Sequence, residues 1–354
     1  MTLDDLRARI TDPSTDPDRA DAAAAAAQRW DGRAKPPGAL GRLEDLAVRV
    51  AAITGRCPPA VPSAPAVLVF AGDHGVVADG ASAWPSEVTG AMVRAMAAGG
   101  AAINAFATTV GATVTVVDVG VATDLSDLTP GSSTVEVQHR RVRAGTASIA
   151  HGPAMSVDEA QAAVEVGTAV ADEAIDAGAD LLVGGDMGIG NTTPSAALVA
   201  RATGRPAAEL VGRGAGLPEA GLARKAALVD AALERAAAVS DPLAVLAELG
   251  GLEIAALAGM HLAAAARRVP VVVDGVIGAA ALCAAEALAP GTAAHVIAGH
   301  RSVEPASGAA LAHLGLEPVL DLDLRLGEGT GACLAVPLVQ AACRALQDMA
   351  DLPG

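Results

Sequence analysis

Near the C-terminus a carboxylate stands between two glycines, in Leu326-Gly327-Glu328-Gly329-Thr330-Gly331-Ala332. A general base must come within hydrogen-bond reach of the proton it takes. Glycines on either side leave a substrate room to approach that closely, and apolar surroundings would raise the acid's pKa toward the working range. The competing reading is a helix-start Glu favoured by the helix dipole. The glycine-rich run Gly184-Gly185-Asp186-Met187-Gly188-Ile189-Gly190-Asn191-Thr192-Thr193-Pro194 lies between a strand and a helix. Thr192 or Thr193 can cap that helix and Pro194 fits its first turn. Free N–H groups at a helix start favour an anion, so the run reads either as a phosphate cradle or as a tight turn. It is not a P-loop, and Gly188-Ile189-Gly190 lacks the third glycine of a dinucleotide fingerprint. A further turn, Val211-Gly212-Arg213-Gly214-Ala215-Gly216, precedes Lys225. That lysine could reach a phosphate or simply lie on a solvated helix face. It is one of only two lysines, Lys35 being the other.

Other chemistries lack their residues. There is no H-E-x-x-H and no acid/His cluster at ligand spacing, so no metal is expected. There is no G-x-S-x-G elbow. Of seven histidines, His74 and His300 fall at strand ends, and His74 reads as a hydrogen-bonding turn residue. The four cysteines, Cys57, Cys283, Cys333 and Cys343, form no C-x-x-C pair, and the start of the sequence is acidic where a signal peptide is basic. A reduced, cytoplasmic protein is expected. Net charge of −16 and 1% aromatic residues argue against nucleic acid and an anionic membrane surface. The most apolar stretch, Val269 to Pro290, contains Asp274 and Glu286 and reads as a strand followed by a helix.

These residues need a scaffold. The 354 residues are 52% hydrophobic, mostly Ala, Val and Leu, which makes a core of small, closely packed side chains. Residues 1–55 read as helical, with the breaker-rich loop from Lys35 to Glu44 between helices. Beyond them short apolar strands alternate with helices: strands at Val67–Phe70, Thr113–Val119, Leu181–Val183, Val271–Val273 and His295–Ala298, with Val319–Leu324 a strand or extended segment. Helices are expected at Ser86–Ala98, Val157–Ala177, Ala255–Arg267, Ala279–Leu288, Ala306–Leu314 and Thr330–Met349, and residues 121–156 read as irregular. The alternation predicts an α/β fold with a parallel sheet covered on both faces. Several strands run into polar clusters: Asp73-His74, Gly185-Asp186, Asp274-Gly275 and Gly299-His300-Arg301-Ser302. Ligands of such sheets bind beyond the carboxyl ends of the strands.

Taken together the motifs resemble one family. The segments KPPGALGRLE (35–44), AGDHGV with WPSEVT (within 71–89), GGAAIN (99–104), GPAM (152–155) and GDMGIGNTT (185–193) follow the pattern of the nicotinate-nucleotide:dimethylbenzimidazole phosphoribosyltransferases. So do VGRGAG (211–216), GGLEIAALAGM (250–260), VDGVIGAAAL (273–282), HRSVEP (300–305) and DLDLRLGEGTGA (321–332). They keep their order over nearly the whole chain. The resemblance implies transfer of phosphoribosyl from nicotinate mononucleotide to 5,6-dimethylbenzimidazole, giving α-ribazole 5′-phosphate in cobalamin nucleotide-loop assembly. It implies no metal or organic cofactor, and a homodimer. Glu328 matches the family's base. Gly188, Gly214, Lys225 and Ser302 match its phosphate contacts, and Ser82 falls in the segment lining the base pocket. Asp186, Ile189 and Asn191 complete the substrate-binding set, Asp186 standing where many members have Glu. The implied fold is a parallel-sheet, Rossmann-like core (61–325) with a smaller helical domain from the chain ends, residues 1–60 and 326–354.

Some positions depart from the pattern. Ala91 replaces a polar pocket residue, Ala215 lacks a frequent hydroxyl, and Glu304-Pro305 is followed by Ala306-Ser307. Ala91 therefore puts base preference in question, with adenine, another benzimidazole or a phenol as alternative acceptors. A non-catalytic nucleotide or base sensor is the alternative of another class, and the retained Glu328 points away from it.

Overall fold

The structure is a computed structural model, and it describes residues 2–128 and 135–352. Part of the stretch read as irregular, residues 129–134, lies outside the described residues. The strands are β1 (Pro65–Gly72), β2 (Thr113–Gly120), β3 (Glu136–His139), β4 (Leu181–Met187), β5 (Val271–Val273) and β6 (Val296–Ala298). They form one sheet in the order β3-β2-β1-β4-β5-β6. Every pairing is parallel. This is the doubly wound order expected of a Rossmann-like core. β1 is buried along its whole length, as a central strand covered on both faces must be.

The first helices are α1 (Leu3–Arg9), α2 (Pro17–Asp31), α3 (Arg42–Thr54), α4 (Glu87–Ala97), α5 (Ala102–Val110) and α6 (Val157–Asp176). Then come α7 (Thr192–Thr203), α8 (Ala207–Leu210), α9 (Glu219–Arg235) and α10 (Pro242–Leu249). The last are α11 (Leu252–Ala266), α12 (Val276–Leu288), α13 (Pro305–His313) and α14 (Thr330–Asp348). α11 is buried from Leu252 to Ala265, which fits a helix that is apolar all round. Its backbone meets that of α6 directly. A Cβ at Gly167 would lie 1.7 Å from the Ala256 carbonyl oxygen, and one at Gly259 would lie 2.0 Å from that of Val164. With so few aromatic side chains, the core closes by bringing backbones together.

Helices from both chain ends share a small core of their own: Ala26, Trp30, Ala47, Ala51, Ala342 and Leu346. Lys35 packs against it. Its Nζ sits 2.8 Å from Glu44 Oε1 and 5.3 Å from the centre of the Trp30 ring. The first of the two lysines is thus structural.

The structure corrects several expectations. β3 is a strand within the stretch read as irregular. β4 runs on to Met187, so Gly184, Gly185 and Asp186 lie in the strand rather than after it. Gly185 could not be larger, since a Cβ there would lie 2.4 Å from the Glu328 carbonyl oxygen, while one at Gly184 would push against the movable end of Met260 at 2.8 Å. Asn191, not Thr192 or Thr193, holds the N-cap position of α7, and its side chain makes no cap bond. Val319–Leu324 makes one parallel bridge, His300 to Leu320, and no strand. Asp323 interrupts it with a φ of +57°.

Candidate functional site

The strand order reverses between β1 and β4, the place where doubly wound folds bind ligands. A cavity of about 380 Å³ opens there. Ser82, Asp186, Gly188, Ile189, Asn191, Gly214, Ser302 and Glu328 all line it. Of the residues chosen from sequence only Lys225 does not. Its size falls in the usual range for a small-ligand pocket. Gly188 is required by the close approach of β1, since a Cβ there would lie 2.4 Å from the Gly72 carbonyl oxygen.

Glu328 is buried. Its Oε2 accepts a 3.3 Å hydrogen bond from the Ile103 N–H, in the first turn of α5. Burial raises its carboxyl above the ordinary value, and the Ile103 bond lowers it only in part. The same carboxylate lines the cavity, so a buried acid with a raised proton affinity faces the space a substrate would fill.

Asp186 is held far above the carboxylate range, first by burial and then by the negative charges of Asp274 and Glu253. Asn191 Nδ2 donates to its Oδ1 at 3.0 Å. Asn191 therefore braces the acid instead of capping its helix. The Ile189 N–H is engaged by Thr89 Oγ1 at 3.1 Å.

Lys225 lies behind the cavity wall. Its Nζ donates to Thr192 Oγ1 at 2.7 Å and to the Gly212 carbonyl oxygen at 2.8 Å. It joins the two glycine-rich runs and has one N–H beyond these two bonds. Burial pulls its pKa down to about 8, against the attraction of Glu304. Glu304 was not foreseen. Its Oε1 accepts the Gly214 N–H at 2.7 Å, the group expected to meet a phosphate. Arg325 was not foreseen either: it lines the cavity, and its guanidinium is 3.4 Å from the Gly214 carbonyl oxygen.

At the other end Ser82, Trp84, Val88 and Met92 line the cavity. Val88 and Met92 are one turn apart on α4, while Ala91 is exposed and outside the lining. Ala91 therefore lies outside the wall, not at the pocket position expected of it from sequence. Trp84 spans the mouth, its Nε1 donating to the Ala215 carbonyl oxygen at 3.0 Å. It is the aromatic residue of the lining. The scarcity of aromatics in the sequence was the available signal.

Of the other strand-end residues, Asp73 accepts from the Ala122 N–H at 2.8 Å and His74 pairs with Glu253 at 2.7 Å. His300 Nε2 accepts the Leu322 N–H at 3.1 Å. These bonds tie the strand ends to neighbouring loops and to the start of α11, outside the cavity lining. Among the described residues no group of three or more His, Cys, Asp or Glu is arranged to hold a metal ion. Nor is any helix among them long and apolar enough to cross a membrane.

The pattern of a phosphoribosyltransferase family matches residues 15–353. The chain belongs to this family. A family protein from Chloroflexus aurantiacus, a nicotinate-nucleotide–dimethylbenzimidazole phosphoribosyltransferase, is 54% identical over 93% of this chain and 92% of its own. One of the same name from Mycobacterium avium is 51% identical over 93% of each. The crystal structure of CobT from Thermus thermophilus superposes with a TM-score of 0.89 at 48% identity, covering 94% of this chain and 97% of that one. The family match, residues 15–353, takes in the whole sheet and the helices from α2 to α14.

Proposed function

We propose that the chain transfers the 5-phosphoribosyl group of nicotinate mononucleotide to 5,6-dimethylbenzimidazole, releasing nicotinate and α-ribazole 5′-phosphate, with Glu328 as the general base. The observation that carries this is the buried Glu328 carboxylate facing the cavity. One benzimidazole nitrogen attacks C1′ with its lone pair, from the face opposite the leaving group. The C1′–N bond to nicotinate breaks, and its electron pair leaves with the nicotinate ring nitrogen. Glu328 takes the proton from the other benzimidazole nitrogen, which keeps the product neutral at the base. The configuration at C1′ passes from β to α. Walls built from Trp84, Val88 and Met92 suit a flat apolar base, with Ser82 as a polar contact.

The phosphate end is assigned to Gly188, Ser302, Lys225 and Arg325, and to Gly214, whose N–H must be released by the Glu304 carboxylate to serve it. Two cations and a helix start suit a phosphate monoester. Lys225 serves it by uniting Thr192 and Gly212 and by its charge. Asp186, Ile189 and Asn191 shape the wall between the two ends. The same reading places the enzyme in the cytoplasm as a homodimer, on the strength of the family resemblance and four unpaired cysteines.

The test is chromatographic. Purified protein with nicotinate mononucleotide and 5,6-dimethylbenzimidazole, without added metal, should release nicotinate and α-ribazole phosphate in equal amounts. Turnover with adenine or a phenol but not with the benzimidazole would change the acceptor. Nucleotide binding without turnover of any acceptor would replace the enzyme by a sensor.

Lys225 adds a pH dependence with a definite sign. Below about 8 its Nζ is charged, and above about 8 it loses the proton. Nicotinate mononucleotide should therefore bind more weakly as pH rises through that value. For stability the sign is opposite: a lysine whose folded pKa lies below its unfolded one burdens the native state at lower pH, and this burden lifts between about 8 and the unfolded value. Calorimetric titration from roughly pH 7 to 9.5, where the ligand phosphate stays dianionic, should show the loss of affinity. Lys225→Met should flatten it. An equally steep loss in that variant would remove Lys225 from the phosphate site.

A further inference from the structure

Glu328 stands on a turn of strained backbone, closed from within by the Thr330 N–H and Oγ1 on the Gly327 carbonyl oxygen at 3.0 and 2.7 Å. Its φ is +64°, between Gly327 at +84° and Gly329 at +87°. Left-handed backbone is unfavourable for a residue with a Cβ, so contacts from neighbouring elements add to these bonds in holding the carboxylate in place. On one side the Glu328 N–H donates to the Asp186 carbonyl oxygen at 3.2 Å. On the other stands the side chain of Asp274, at the end of β5. Its Oδ2 accepts the Gly329 N–H at 3.2 Å, and its Oδ1 accepts the Ala332 N–H at 2.9 Å. These amides flank the start of α14, where the first N–H groups have no acceptor within the helix. Gly331 lets the carboxylate come this close, since a Cβ there would lie 2.8 Å from Asp274 Oδ1. Asp274 is 5% exposed and is not part of the cavity lining.

We propose that Asp274 is a positioning residue for the transfer, acting through Glu328 by fixing the strained turn that carries it. The proposal rests on Glu328 being the base. Both oxygens of Asp274 are committed to the two residues that follow Glu328 or begin its helix, so the carboxylate works as a fixed point between β5 and the catalytic turn. Burial pushes the Asp274 carboxyl up to about 7, the amides of Ala332, Gly331 and Gly329 pull it down, and the charge of Glu328 pushes it up again. An amide in place of the acid would keep the volume and turn one acceptor into a donor facing an N–H.

The experiment compares Asp274→Asn, Glu328→Gln and the double variant. Asp274→Asn should lower kcat about ten- to a hundredfold, the cost of a misplaced catalytic group. Its Kd for nicotinate mononucleotide should stay within about twofold of wild type, since the phosphate end is untouched. In the Glu328→Gln background the same change should alter the residual rate by less than about twofold, because the two residues act as one unit. An unchanged kcat in Asp274→Asn, or an equal proportional loss in both backgrounds, would overturn the proposal. Wild-type turnover in Glu328→Gln alone would instead overturn the assignment of the base. Should the Asn variant not fold, residue-level amide exchange of the wild-type protein decides. The Gly329 and Ala332 amides should exchange slowly, and exchange as fast as that of unbonded first-turn amides would overturn the proposal.

Discussion

Replacing Glu328 by Gln should lower kcat by about a hundred- to ten-thousandfold, the usual contribution of a positioned general base. The side chain keeps its size and can still accept the Ile103 N–H. Binding of nicotinate mononucleotide should therefore survive while proton removal fails. The wild-type enzyme should also lose activity on the acid side. Burial raises the Glu328 carboxyl, and a base works only when ionised, so kcat should fall as pH drops through a value above that of an ordinary glutamate. Rapid-quench or steady-state product analysis across pH reads both effects. Near-wild-type turnover in Glu328→Gln would exclude Glu328 as the essential base.

The second large effect concerns stability. Gly167→Ala should destabilise the fold by about 3 kcal/mol or more, because the new methyl meets helix backbone that cannot move aside like a side chain. The methyl would stand 1.7 Å from the Ala256 carbonyl oxygen, so α6 and α11 must separate. Thermal unfolding should shift down by roughly 4 °C or more. Gly308→Ala is the control. It sits exposed in α13 with nothing within 4 Å of the added methyl. It should be neutral or gain about 0.5–1 kcal/mol from the better helix former. Equal melting temperatures for wild type and Gly167→Ala would contradict the close helix crossing.

The alternation of apolar strands and helices was legible because central parallel strands are continuous hydrophobic runs. β3 was not, since Glu136, Gln138 and His139 give a four-residue edge strand no apolar signature. Val319–Leu324, read as a strand or extended segment, proves to be the second, bonded to the β6 end without forming a strand. Its alternating Asp and Leu imitate a half-buried strand, and the left-handed Asp323 is invisible in the pattern. Gly184 and Gly185 read as the end of β4 because glycine weakens strands. They lie inside it, and Gly185 is needed there because the Glu328 backbone comes too close for any side chain. At the site, glycine-rich turns and a flanked carboxylate were readable as types. Glu304 and Arg325 were not, because each acts on Gly214 from a segment distant in sequence. Lys225 showed as a rare charge, but that it braces Thr192 and Gly212 from behind the wall follows only from the fold.

The two tryptophans have an optical consequence. Trp84 is 53% exposed at the cavity mouth, and Trp30 is 2% exposed among the chain-end helices. There is no tyrosine to obscure them. The polar environment of one indole and the dry environment of the other separate their emission, red-shifted for Trp84 and blue-shifted for Trp30. One spectrum of the unlabelled protein therefore carries two local signals: the filling of the cavity at its red edge, and the loosening of the chain-end helices at its blue edge.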